Sequence, residues 1–118
     1  MLLTILIDPF LNQITEELIT QDYHDIYKLI DCRTFDAVRI NDQRDSVFFD
    51  DEGLYKPDQQ FFLIEGYPQP LAGKGLIIGC DETGESKDPK ITLHEAREKI
   101  IFLSPIQVLA WCRNNPDF

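Results

Sequence analysis

Phe35-Asp36-Ala37-Val38-Arg39-Ile40-Asn41-Asp42-Gln43-Arg44-Asp45-Ser46-Val47-Phe48-Phe49 is the stretch that decides the fold class. Val38 and Ile40 fall on one side of an extended chain and Arg39 on the other, the two-residue period of a half-buried strand. Asn41 to Asp45 is uniformly polar and reads as a turn. Ser46 to Phe49 is the return strand, closed by Asp50-Asp51-Glu52-Gly53. Two strands joined by so short a turn form a hairpin, which makes the local sheet antiparallel.

Working outward, Leu2-Leu3-Thr4-Ile5-Leu6-Ile7 stops at Asp8-Pro9. Its apolar residues occupy both faces, so it reads as a central strand. Ile14 to Ile19 reads as a second strand, although Glu16, Glu17 and Leu18 also permit a helix. In Asp22 to Asp31, Tyr23, Ile26, Tyr27 and Ile30 share one helical face. Asp22 is the candidate N-cap there, and Asp25 suits the positive end of the helix. Phe61 to Ile64 and Leu76 to Ile78 are further strands, separated by Gly66 to Pro70. Thr92-Leu93-His94-Glu95 matches a capping box, and Ile101 to Leu103 is either the end of its helix or a last strand. Ser104-Pro105-Ile106-Gln107 opens a final helix with a second capping box, which ends at Asn114-Asn115-Pro116. The order implies an α+β domain: a mostly antiparallel sheet of five to six strands, with two to three helices covering one face.

The 118 residues suit a single domain, 1–118, in which 103–115 adds a C-terminal helix. The formal charge is −10, from 21 acidic against 11 basic side chains. Such a surface repels a phosphate backbone, so direct nucleic-acid binding is not expected. It either keeps the protein dispersed, or imitates nucleic acid, or seeks a basic partner. The three cysteines, Cys32, Cys80 and Cys112, form no Cys-x-x-Cys pair, which suits buried free thiols in a reducing, cytoplasmic setting. Met1 to Ile7 lacks the basic start of a signal peptide, and no apolar run reaches the roughly 20 residues that span a bilayer.

This pattern resembles a family of short proteins carried by bacteriophages, plasmids and bacteria, catalogued as domain of unknown function 3846. The resemblance covers about Leu2 to Phe102. It lies in the opening strand ending at Asp8-Pro9, in Tyr27-Lys28-Leu29-Ile30 leading to Phe35–Ile40, in Asp51-Glu52-Gly53-Leu54, and in Leu71-Ala72-Gly73-Lys74-Gly75-Leu76-Ile77-Ile78-Gly79. The stretch between Gly53 and Phe61 is short beside the family pattern, and the Ser104–Trp111 helix has no clear counterpart. The resemblance implies a mobile-element setting and carries no mechanism.

Asp50, Asp51 and Glu52 are the densest acidic cluster and a candidate cation or partner site, with Asp81 in reach only if the fold brings it there. Strand alternation would point Asp50 and Glu52 one way and Asp51 the other, which favours a solvated turn with Gly53 at positive φ. Gly73-Lys74-Gly75 precedes a strand, the wrong order for a phosphate cradle, so its glycines are read as relieving crowding. Lys74 beside Tyr67 would meet an anionic ligand. His24 and His94 are read as surface residues, and the dispersed thiols and imidazoles imply no zinc site. No cofactor is implied. Ile106 to Cys112 is apolar almost all round, so this helix is buried or holds a partner, and Trp111 with Ile106 or Val108 would be the homodimer patch.

The expected function is therefore a non-catalytic accessory protein of a mobile element or its host, binding a host or phage protein through an acidic surface. The target would be a defence or nucleic-acid-handling factor. The alternatives are a small-molecule or nucleotide module using Tyr67 and Lys74, and a divalent-metal hydrolase using Asp50, Asp51, Glu52 and Asp81.

Overall fold

The computed structural model describes residues 1–116. Its strands are β1 (Leu2–Asp8), β2 (Gln13–Ile19), β3 (Phe35–Arg39), β4 (Ser46–Asp50), β5 (Phe61–Ile64), β6 (Leu71–Ala72), β7 (Gly75–Cys80), β8 (Ser86–Lys87) and β9 (Ile100–Leu103). Its helices are α1 (Tyr23–Leu29), α2 (Leu93–Lys99) and α3 (Pro105–Asn114), with a 3₁₀ turn at Gly53–Tyr55. All pairings are antiparallel. The larger sheet runs β2-β1-β7-β4-β3, with β8 on β7, and a second sheet runs β6-β5-β9.

The α+β class is thus established, and the second sheet is an addition to it. It also corrects the expectation that helices cover one face. Both faces of the larger sheet are covered. Leu2, Leu76 and Ile78 pack with Ile26 of α1 and with Ile30 at its end on one side. Ile5, Ile7, Val47 and Ile77 pack with Phe62, Ile64 and Ile100 of the small sheet and Ala96 of α2 on the other. This is why β1 and β7 carry apolar residues at consecutive positions: successive side chains enter opposite cores. Each fully buried Leu or Ile there contributes roughly 1.5–3 kcal/mol.

The small sheet lies close enough that a Cβ on Gly75 would stand 2.6 Å from Phe62 Cζ. Glycine at this strand start does relieve crowding. Gly53 corrects its expectation. It is not among the glycines at positive φ. A Cβ there would instead lie 2.8 Å from the Ala72 carbonyl oxygen, so close approach demands glycine.

Helix ends form as their residues dictate. Asp22 accepts the His24 N–H at 3.0 Å and caps α1. Both capping boxes are complete, Thr92 with Glu95 and Ser104 with Gln107. Ile101 to Leu103 resolves as strand, because Ile100 to Leu103 pairs along the whole of β5.

The final helix corrects the expectation of burial: α3 has no buried residue. Ile106 is 78% exposed and Leu109 63%. With α1 on one face and α2 plus the small sheet on the other, no face of the larger sheet is left for it. The thiols also differ from the expectation of burial: Cys32 and Cys80 are half-buried and Cys112 is exposed.

Candidate functional site

The acidic tripeptide divides as strand alternation dictates for Asp50 and Asp51. Asp50 ends β4 pointing inward and is 4% exposed. Its Oδ2 lies 2.6 Å from Lys56 Nζ, and its Oδ1 accepts the Glu52 N–H at 2.9 Å. Asp51 turns outward and accepts the Thr34 hydroxyl. Glu52, past the strand end, joins it by accepting Arg33 at 2.8 Å. That hydrogen bond raises the Arg33 guanidinium above its ordinary value. Asp51 and Glu52 therefore tie the segment before β3 to the segment after β4.

Asp81 is remote. Beyond the first residue of β4 the Cys80 N–H donates to the Arg44 carbonyl at 3.1 Å, so Asp81 lies past the end of β4 opposite to Asp50. Its carboxylate serves its own loop. It accepts the Thr83 hydroxyl at 2.6 Å and the N–H groups of Thr83 and Glu85, and the Thr83 hydroxyl foremost holds it below 3.8. Among the described residues, no three His, Cys, Asp or Glu side chains converge as a metal site requires.

What the fold does bring together is a cavity of about 480 Å³. Its wall comes from the end of β1, the turn after it, the end of α1, the Gly53–Asp58 segment and the turn before β7. Ile30 caps α1, and Asp31 follows it at φ +52, the left-handed conformation that ends many helices. An aspartate tolerates this at a cost of roughly 1–2 kcal/mol. The bend gives Asp31 two contacts: its carbonyl accepts Lys56, and its Oδ2 accepts Lys74 at 2.8 Å. Lys56 thereby bridges Asp50 and Asp31, and Lys74 holds Asp31 from the other side. Asp8, 8% exposed, accepts the Phe10 and Leu11 N–H groups on Oδ1 at 3.0 and 3.2 Å. Phe10 and Leu11 then form an exposed apolar lip, 44% and 64% accessible.

Two of the six sequence candidates, Asp50 and Lys74, meet in this cavity. Tyr67 does not join Lys74. It packs against the larger core, accepts Gln69 Nε2 at 3.0 Å and lines a separate hollow with Asp51 and Leu54. Trp111 lines a groove with Leu63 and Ile101 beside β9. His24 and His94 are surface residues, 78% and 83% exposed in their side chains. Sequence reading missed Asp8, Asp31 and Lys56 as site residues. Asp8-Pro9 was visible only as a strand stop, and nothing local marks the other two.

Comparison with known proteins adds a family. The family described as "Domain of unknown function (DUF3846)" matches residues 2–99, so β1 through α2 lie within it and α3 lies beyond. "Uncharacterized protein y4iR" of Sinorhizobium fredii (strain NBRC 101917 / NGR234) is 35% identical over 71 residues, 60% of this chain and 44% of that protein. "Protein PsiB" of Rhizobium leguminosarum bv. phaseoli is 31% identical over 78 residues, 66% of this chain and 58% of that protein. The chain spans about half the length of these curated relatives. No solved structure matches it.

Proposed function

This chain belongs to the family described as Domain of unknown function (DUF3846), and from its geometry we propose a non-catalytic accessory protein of a mobile element or its host that binds a small polar molecule. The observation that carries this reading is the cavity in which Asp8, Asp31, Asp50, Lys56 and Lys74 converge. Its volume of about 480 Å³ suits a small ligand, and pockets with a few fixed polar groups and apolar walls are the usual form of such sites. Lys56 and Lys74 are already held by carboxylates, so they form a rigid recognition frame. The nearest thiol, Cys32, is pushed up to about 11 by burial, which argues against a nucleophile at this end of the molecule. No helix among the described residues is long and apolar enough to cross a membrane, and we assign the protein to the cytoplasm.

The test is a fragment screen read by amide chemical shifts. Bound fragments should move Phe10, Leu11, Asp31 and Lys74 together. Shifts confined to other surfaces would overturn the reading.

A second reading rests on charge. Asp36, Asp42, Asp58, Glu65, Glu82 and Glu85 are exposed and form no ion pair among the described residues. Such carboxylates favour a basic macromolecular partner, and that attraction weakens as salt screens it. Capture from host lysate at low and high salt checks this reading. Retention insensitive to salt removes it.

A further inference from the structure

We propose that the cavity takes a small organic cation, a primary amine carried on an apolar body. The inference rests on the small-molecule reading above and names the class of ligand. Four carboxylates, Asp8, Asp31, Asp50 and Asp58, line the cavity against two ammonium groups, Lys56 and Lys74. Both ammonium groups are engaged, Lys56 with Asp50 at 2.6 Å and Lys74 with Asp31 at 2.8 Å. What remains is negative, and a negative, partly enclosed wall repels phosphates and attracts cations.

Asp8 supplies the specific contact. The residue is more than nine-tenths buried. Its Oδ1 is occupied by the Phe10 and Leu11 N–H groups, and no hydrogen bond among the described residues reaches its Oδ2. Among the described residues, no side-chain oxygen sealed from solvent lacks a partner. The free Oδ2 therefore opens onto a void, and the void that Asp8 lines is this cavity. A carboxylate oxygen that faces a partly enclosed cavity without a protein donor is open to a ligand, and a charged N–H donor makes the stronger hydrogen bond to it. Phe10 and Leu11 stand at the lip beside it, giving a ring face for the cation and an apolar bed for the rest of the ligand.

The experiment titrates the full chain with phenethylamine and spermidine, and separately with inorganic phosphate and AMP, reading affinity by calorimetry and location by amide shifts. The amines should bind and shift Phe10 and Leu11. Asp8→Asn keeps an acceptor for the turn and removes the charge. It should lower amine affinity at least about 10-fold, the worth of a charge-assisted hydrogen bond. Phe10→Ala, at an exposed position, should lower it several-fold and serves if the first variant does not fold. Amine affinity unchanged in a folded variant overturns the proposal. So does phosphate or AMP binding in place of amine, but that result shifts the same amides and leaves the cavity reading standing. No shift at Phe10, Leu11 and Lys74 with any probe takes down both.

Discussion

Asp45 sits fully buried at the close of the β3–β4 turn, and three donors converge on its carboxylate. Lys90 N–H reaches Oδ1 at 2.8 Å, and Ile91 N–H and Asn41 Nδ2 reach Oδ2 at 2.8 and 3.0 Å. Asp45→Ala strands two backbone N–H groups, each worth roughly 1–3 kcal/mol when left without an acceptor. Urea unfolding should therefore show a loss of about 3 kcal/mol, and a loss under about 1 kcal/mol would mean other acceptors replace it. Cys32 makes a second residue-scale case. Burial foremost, then the Asp50 charge, raises it from 9.0 to about 11, which makes its thiolate about 100-fold scarcer at neutral pH. Iodoacetamide followed by mass spectrometry should label exposed Cys112 well before Cys32. Asp22, Asp25 and Asp81 shift the other way. The His24 backbone N–H, the Thr20 hydroxyl and the Thr83 hydroxyl respectively are the main causes. Their folded values lie below 3.8, so the stability they add is complete above 3.8 and disappears as pH falls through the lower folded value. An acid titration followed at the Thr20, His24 and Thr83 amides should show these groups titrating below 3.8. Titration at or above it would deny the hydrogen bonds a role.

At the scale of elements, β7 and α3 look alike in sequence and differ in what they do. Leu76 and Ile77 are wholly buried between two cores, whereas α3 buries none of its residues. Ile77→Ala should cost roughly 3–4 kcal/mol, and Ile106→Ala should stay within about 0.5 kcal/mol, since it leaves no cavity and gains helix propensity. Melting curves of the two variants decide it, and comparable losses would mean that α3 is packed more tightly than its exposure implies. The same pair shows what the sequence made legible. A continuous apolar run marked β1 as a strand buried on both faces and Leu76 to Ile78 as a strand, because such runs are written along the chain itself. The Thr92 and Ser104 capping boxes were equally legible, being complete within four residues. β6 and β8 were not, since each is two residues long, too short to show a two-residue alternation, although each pairs with the strand just before it. The cavity was hidden because its wall is built from segments far apart in the chain. Lys74 meets Asp31 across 43 positions, and no local pattern records such a meeting. The apolar α3 stripe promised burial, but the stripe alone does not say whether an uncovered sheet face remains to receive it.

Across the whole molecule the governing term is the excess of negative charge. The formal −10 is spread over a body with extents of 40 × 28 × 23 Å. At about 0.01 M salt the screening length is about 30 Å, so nearly every carboxylate feels the others. At physiological salt it falls to about 8 Å, and only close neighbours still interact. The Asp50–Lys56 pair, whose carboxylate is 2% exposed beside a 44% exposed lysine, is partly buried and screened less than the surface carboxylates. Adding salt therefore removes more repulsion than attraction. The unfolding midpoint should rise with sodium chloride, steeply up to physiological strength and weakly beyond it. Reversing the charge at three exposed, unpaired positions, for instance Asp42, Glu82 and Glu85 to lysine, should flatten this dependence and raise the low-salt midpoint. A midpoint that falls as salt is added would show that ion pairs outweigh repulsion, and the acidic surface would then be a set of local contacts instead of a field presented to a partner.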